Sequence, residues 1–382
     1  RRDFLADFEI GISKDIVADF PPGVKSFDST VIEFRSPWGL TTGKWATLTF
    51  TGNPGILVEM KIHIPNSAYI GNIDFFLANF DASQPDCLEV TANEKWISVH
   101  PVALSMIAAL SLSVPQSKIT CEPITAKSAH YLDRMGLYKF LSLKSGSGVV
   151  QHEPSGRFVP LTQIKNSDEL TKFLTDIIPL LHLSETPKHA ESIRYIISEL
   201  VRNVLEHSNS KYGAIVSAQY FKKTNTIRIG IADTGVGIKS TISRSYRAND
   251  DLAAIMLALT PGITGTTNRE GGTEQNAGAG LFFIKSIASI NRNFFMIYSG
   301  NALYKLLMRR RDDRSLTLKA DPVKDRHSSK DDLPYWQGTV VGIDISLDAT
   351  SEFTSLLDLI RNTFRKAVQD RRKARYKRAR FI

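Results

Sequence analysis

The chain has 382 residues, 42% of them hydrophobic and 23% charged, which excludes a fibrous, collagen-like or wholly disordered protein and leaves room for two or three domains. Its formal net charge is +9, yet residues 361–382 alone hold ten Lys or Arg (Arg361, Arg365, Lys366, Arg371, Arg372, Lys373, Arg375, Lys377, Arg378, Arg380) against the single acid Asp370, so residues 1–360 sum to zero. The globular part is therefore neutral and carries a basic tail, which suits a nucleic acid, an anionic membrane surface, an acidic protein or a plain solvated helix end.

In chain order, residues 1–66 read as strand-rich, with β-branched and aromatic runs at 31–34, 46–50 and 56–64 between Pro-Gly and Asn-Pro-Gly turns. Residues 67–145 alternate. Strands are expected at 72–80, 96–99 and 119–124, and helices at 102–112 and 126–140, an order that favours a small α/β module. The apolar stretch from Pro101 to Val114 is too short for a membrane span and is broken by serines, so it reads as a core helix. With only Cys87 and Cys121, a disulfide scaffold is not expected and a reducing cytoplasm is the default. No signal peptide is legible, although the chain starts at Arg1 rather than Met.

Residues 146–160 contain Gly, Ser and Pro and read as a linker. Residues 161–347 then carry helices at 168–181 and 189–207 and strands at 213–220 and 226–232. A helix at 250–259, a Gly/Thr-rich loop at 261–280 and a helix at 281–290 follow. Strands at 294–299, 302–308 and 339–345 close the region, with a highly charged insertion at 309–333. Residues 348–382 form a basic C-terminal helix or tail.

Three motifs carry chemistry. Glu199, Asn203 and His207 are four residues apart and share one helical stripe beside the apolar stripe of Ile193, Ile196, Ile197, Leu200, Val201 and Val204. A carboxylate there can polarise water, and an amide oxygen can complete an Mg²⁺ shell; alone, such a pair is common on helix flanks. The run Ile229-Gly230-Ile231-Ala232-Asp233-Thr234-Gly235-Val236-Gly237-Ile238 is an apolar strand ending in an acid and a two-glycine loop. The acid can accept a hydrogen bond from an exocyclic amine, and the glycines admit a flat ligand close to the backbone; the plain alternative is a strand end with an Asx turn. Finally, Asn276-Ala277-Gly278-Ala279-Gly280-Leu281 opens a helix, where backbone N–H groups and the helix dipole favour phosphate.

In this order the three resemble the N, G1 and G2 boxes of the GHKL (Bergerat-fold) ATPase superfamily over residues 161–347. The resemblance implies an α+β fold: an α/β sandwich of a mixed sheet with helices on one face, binding ATP and Mg²⁺. It gives Glu199 the role of catalytic carboxylate, Asn203 that of magnesium anchor and Asp233 that of adenine reader. Gly235 and Gly237 pass under the base, and Asn276, Gly278, Gly280 and Leu281 wrap the phosphates. His207 and Thr339 complete the set, and Lys285 either reaches a phosphate or is solvated. The loop departs from the G-x-G-x-G pattern at Asn276, a residue that tolerates left-handed φ. Residues 240–280 correspond to the ATP lid.

Residues 96–141 resemble the second half of a STAS domain, with Leu132, Gly136 and Phe140 filling its closing pattern. Where those domains carry a phosphorylatable serine, this chain reads His100-Pro101-Val102-Ala103. Among GHKL members the compact anti-sigma-factor serine kinases are the nearest type. A histidine-kinase phosphoacceptor is not expected at His152, because Pro154 follows it closely. The expectation is an ATP- and Mg²⁺-binding regulatory protein, an ATPase or a Ser/Thr kinase, whose lid closure controls contact with a protein partner. A homodimer is open, since many relatives dimerise. The alternatives are a nucleic-acid-associated ATPase that uses residues 361–380 and a non-hydrolysing ATP sensor.

Overall fold

The computed structural model describes residues 59–79, 86–144, 158–181, 187–265, 279–308, 318–347 and 353–377. The chain divides into two compact units, Arg1–Leu57 and Val58–Ile382, and every described element belongs to the second. The strands expected at 31–34 and 46–50 lie outside the described residues. The elements are β1 (Glu59–Ile64), β2 (Ser67–Ala68), α1 (Asp74–Ala78), β3 (Cys87–Ala92), β4 (Ser98–Val99), α2 (Pro101–Ser111), β5 (Ile119–Cys121), α3 (Ala129–Arg134), α4 (Leu137–Phe140), β6 (Phe158–Ile164), α5 (Ser167–Leu180) and α6 (Pro187–His207). They continue with β7 (Ala214–Phe221), β8 (Thr226–Ala232), α7 (Gly237–Ile242), α8 (Asp251–Ala258), α9 (Gly280–Ile290), β9 (Phe295–Gly300), β10 (Ala302–Leu306), β11 (His327–Lys330), β12 (Trp336–Ser346) and α10 (Phe353–Lys377). This is an α+β protein.

A seven-stranded sheet in the order β11-β10-β9-β12-β8-β7-β6 is the centre of the unit. Its inner strands are apolar on both faces because both faces are covered. Ile229, Ile231, Ile297, Val341 and Ile343 point into one cluster with Ile193, Ile196 and Leu200 of α6 and Phe282 and Ile287 of α9. The alternate residues Ala232, Met296, Tyr298 and Val340 point into a second cluster with Val102, Leu104 and Met106 of α2 and with β1 and β3. Every residue of α2 is buried, as expected for a helix that is apolar all round. Removing Leu104, Met106, Ile107 and Leu110 from water stabilises the assembly by about 2 kcal/mol each.

Two expectations about the sheet are corrected. It is not mixed: every neighbouring pair in it is antiparallel, and among the described residues parallel pairing occurs only in β1-β3-β5 and β2-β4. Nor do helices occupy one face alone, because α2 lies across β7 and β8 on the face opposite α6. Gly230 makes that approach feasible, since a Cβ there would strike the Val102 backbone. Ser105 donates to the Gly230 carbonyl (3.1 Å) and meets the Ser217 hydroxyl (2.9 Å). His100 caps α2: its Nδ1 accepts from the Val102 N–H (3.0 Å), which leaves Nε2–H to face Asp344 Oδ1 (3.0 Å). Burial holds its pKa below the ordinary histidine value. The regions read from sequence as separate, 67–145 and 161–347, thus share one apolar cluster.

Local departures have physical causes. The strand expected at 72–80 is not formed by its described residues, 72–79; Asn72 Oδ1 accepts from the Tyr69 N–H (2.7 Å) in a 3₁₀ turn that leads into α1. The helix expected at 126–140 breaks into α3 and α4 because Gly136 is left-handed (φ 81°). The linker reading runs too far, since β6 begins at Phe158; Pro160 sits at a register shift on this edge strand, where no ladder hydrogen bond is needed. The charged insertion contributes β11, which pairs with β10.

Candidate functional site

Helix α6 packs its isoleucine stripe on the sheet, which leaves Glu199, Asn203 and His207 along its border. They face a cavity of about 240 Å³. The same cavity is lined by Asp233 from the end of β8, Gly237 from α7, Gly280 and Leu281 from the first turn of α9, and Thr339 from β12. Four segments distant in sequence therefore bring eight of the expected site residues together. Leu200, Val204, Ile231, Ile238, Ile242 and Val341 supply its apolar wall.

Asp233 is 1% exposed. Its Oδ1 accepts from the Gly235 N–H (2.7 Å), while its Oδ2 has no hydrogen-bond partner. Burial pushes its carboxyl up to about 7, against the opposing pull of the Gly235 and Thr339 backbone and the Ser208 hydroxyl. A buried acceptor without a partner costs free energy, and beside a cavity it marks a place for a donor. The loop after Asp233 is held closely. Val236 N–H donates to the Ser208 carbonyl (2.7 Å), and a Cβ on Gly235 would collide with that carbonyl. Gly235 does not itself line the cavity; it lets the loop lie on the end of α6. Trp336 Nε1–H donates to the Asp233 carbonyl (3.0 Å), and Ser299 ties Gly338 to Ile238.

Glu199 is half-buried, and burial raises its pKa; Arg202 opposes the shift and Glu206 adds to it. Gly280 opens α9 against this carboxylate, for a Cβ there would come 2.7 Å from Glu199 Oε2. His207 is partly exposed, with Nε2 4.0 Å from Glu206 Oε2. Asn276 and Gly278 lie outside the described residues. Lys285 is neither at a phosphate position nor solvated: it is fully buried, paired with Asp325, and donates to the Lys319 carbonyl (3.2 Å). Its place on the inner side of α9, where Phe282 and Ile284 are also buried, explains the correction. Sequence reasoning missed Ser208, Thr241, Thr264 and Gly265 in the lining. Only Gly265 left a signal, a glycine in the Thr-rich loop, and a Cβ on it would meet the Thr241 carbonyl. Among the described residues no group of three or more His, Cys, Asp or Glu forms a metal site.

No protein-family model matches the chain, and no curated protein matches it. No described helix is long and apolar enough to cross a membrane.

Proposed function

We propose that this unit is a Bergerat-type ATP-binding domain that takes ATP with Mg²⁺ in the cavity between α6, β8, α9 and β12. The observation that carries this reading is the convergence of Glu199, Asn203, Asp233 and Gly280 on one cavity, with the buried Asp233 Oδ2 left without a partner. The donor set fits the group. Oδ2 suits the exocyclic amine of adenine, and the apolar wall of Ile231, Ile238 and Val341 suits a flat base. The N-terminal N–H groups of α9 suit phosphate. Mg²⁺ keeps several waters and takes phosphate oxygens, so a single protein amide, Asn203, suffices as an anchor.

When bound, the nucleotide would supply a γ-phosphoryl group for transfer. Glu199, raised by burial and within the same cavity, would take the proton of the attacking water or hydroxyl. Asn203 would hold the metal and Asp233 would orient the base. The chain would thus act as an ATPase or protein kinase of regulatory type, with β4 to α4, the stretch that resembles a STAS domain, on the back of the nucleotide sheet. Phosphate release from purified protein with Mg²⁺-ATP tests the reading. Glu199→Ala should lose turnover by at least about 100-fold and keep nucleotide. Hydrolysis unchanged by that substitution removes the base assignment, and binding without turnover in the wild type makes the protein a sensor.

A further inference from the structure

We propose that the outward face of α10 is a docking surface for the phosphodiester backbone of a nucleic acid. This is independent of the nucleotide reading. The helix has 25 residues and spans about 37 Å. One face is spent on the fold: Leu356, Ile360 and Val368 are buried, and the Phe364 ring packs on Phe282 and Phe283 of α9 with centroids 6.3 and 6.1 Å away. The opposite face is cationic. Arg361, Arg365, Lys366, Arg372 and Lys373 are all exposed. Arg361, Arg365 and Arg372 stand four and eleven residues apart, which aligns them on one edge of the helix. Lys366 and Lys373, seven apart, form a second line about 100° further round the exposed side of the helix. Of the two acids on the helix, Asp358 is 3.3 Å from Arg361 and Asp370 is exposed, so the face keeps a net positive charge.

The Arg361–Arg372 line is about 16 Å long, the length of about five phosphate steps along one strand of a duplex. Arginine's planar fork pairs with phosphate in two-point contacts, which favours a regular phosphate array. An anionic membrane fits less well. The apolar stripe is already buried against α9, and among the described side chains of the helix Leu359, 40% exposed, is the exposed large hydrophobic. The sequence continues the charge beyond the helix with Arg378 and Arg380.

The test is fluorescence anisotropy of the intact chain with a labelled short DNA duplex and a single-stranded RNA of equal length, across a salt series. Five phosphate contacts predict a log–log slope near −4.5 on duplex, or about 500-fold weaker binding over about a fourfold rise in salt. A variant with Arg361, Arg365, Lys366, Arg372 and Lys373 all changed to Gln should lose that much of the slope while its thermal unfolding midpoint stays put. Binding of either polynucleotide with this loss supports the proposal. It is overturned if the variant binds with unchanged affinity and slope, or if the intact chain binds neither polynucleotide. Tighter capture by phosphatidylserine vesicles or by polyglutamate at the same salt overturns it equally.

Discussion

Replacing Asp233 by Asn separates the cost of the site from its use. The carboxyl is fully buried and its pKa rises from 3.8 to about 7. In the unfolded chain it titrates near the ordinary aspartate value, so between about pH 4 and pH 7 the folded state holds a proton that the unfolded state has released. Folded-state stability then falls as pH rises through that window. Three pKa units correspond to about 4 kcal/mol, an upper bound because the buried site relaxes. Asn keeps an oxygen for the Gly235 N–H and places an amide at the orphaned Oδ2 position. The variant should therefore lose the declining limb and be more stable than wild type at pH 8 by a few kcal/mol, read by urea unfolding across pH. It should also lose adenine nucleotide. In the wild type, binding below about pH 7 should expel a proton, because an amine donor favours the ionised carboxylate. Calorimetry in two buffers of different ionisation enthalpy measures that proton. Identical pH–stability profiles for wild type and variant would refute the argument that Asp233 is a buried, strained acid.

Other consequences follow from the packing. Lys285→Ala leaves Asp325 buried without its cation and should destabilise by about 3–5 kcal/mol in denaturant unfolding, whereas Lys285→Met with Asp325→Leu should recover most of it; equal losses in both variants would deny the pairing. Gly230→Ala drives a methyl group into the Val102 backbone and should cost about 1–3 kcal/mol, an effect absent if α2 is not seated on β8. Gly280→Ala crowds Glu199 and should weaken nucleotide binding about tenfold while leaving global stability nearly unchanged; unaltered affinity would separate the first turn of α9 from the site.

The long periodic elements were legible because burial acts on one face at a time. The apolar spacing of α6 and the run into Asp233 located two walls of the cavity. What escaped depended on tertiary contact. The chemistry of Lys285 was set by Asp325, forty residues away in an insertion that reads as solvated charge. That α2 would cover the back of the sheet was hidden because an all-apolar helix does not say what it packs on, and the recipient mark was a single glycine, Gly230. Helix α7 begins at Gly237 inside a motif that reads as loop, and Ser299 stabilises its start from another strand.

The most direct measurement is a calorimetric titration of the whole chain with ATP and with GTP, each with Mg²⁺. A carboxylate that accepts from the amine of adenine meets an acceptor oxygen on guanine, so ATP should bind at one site per chain and GTP more than about a hundredfold more weakly. Equal affinity for the two, or no heat with either, would contradict the assignment of this cavity to an adenine nucleotide.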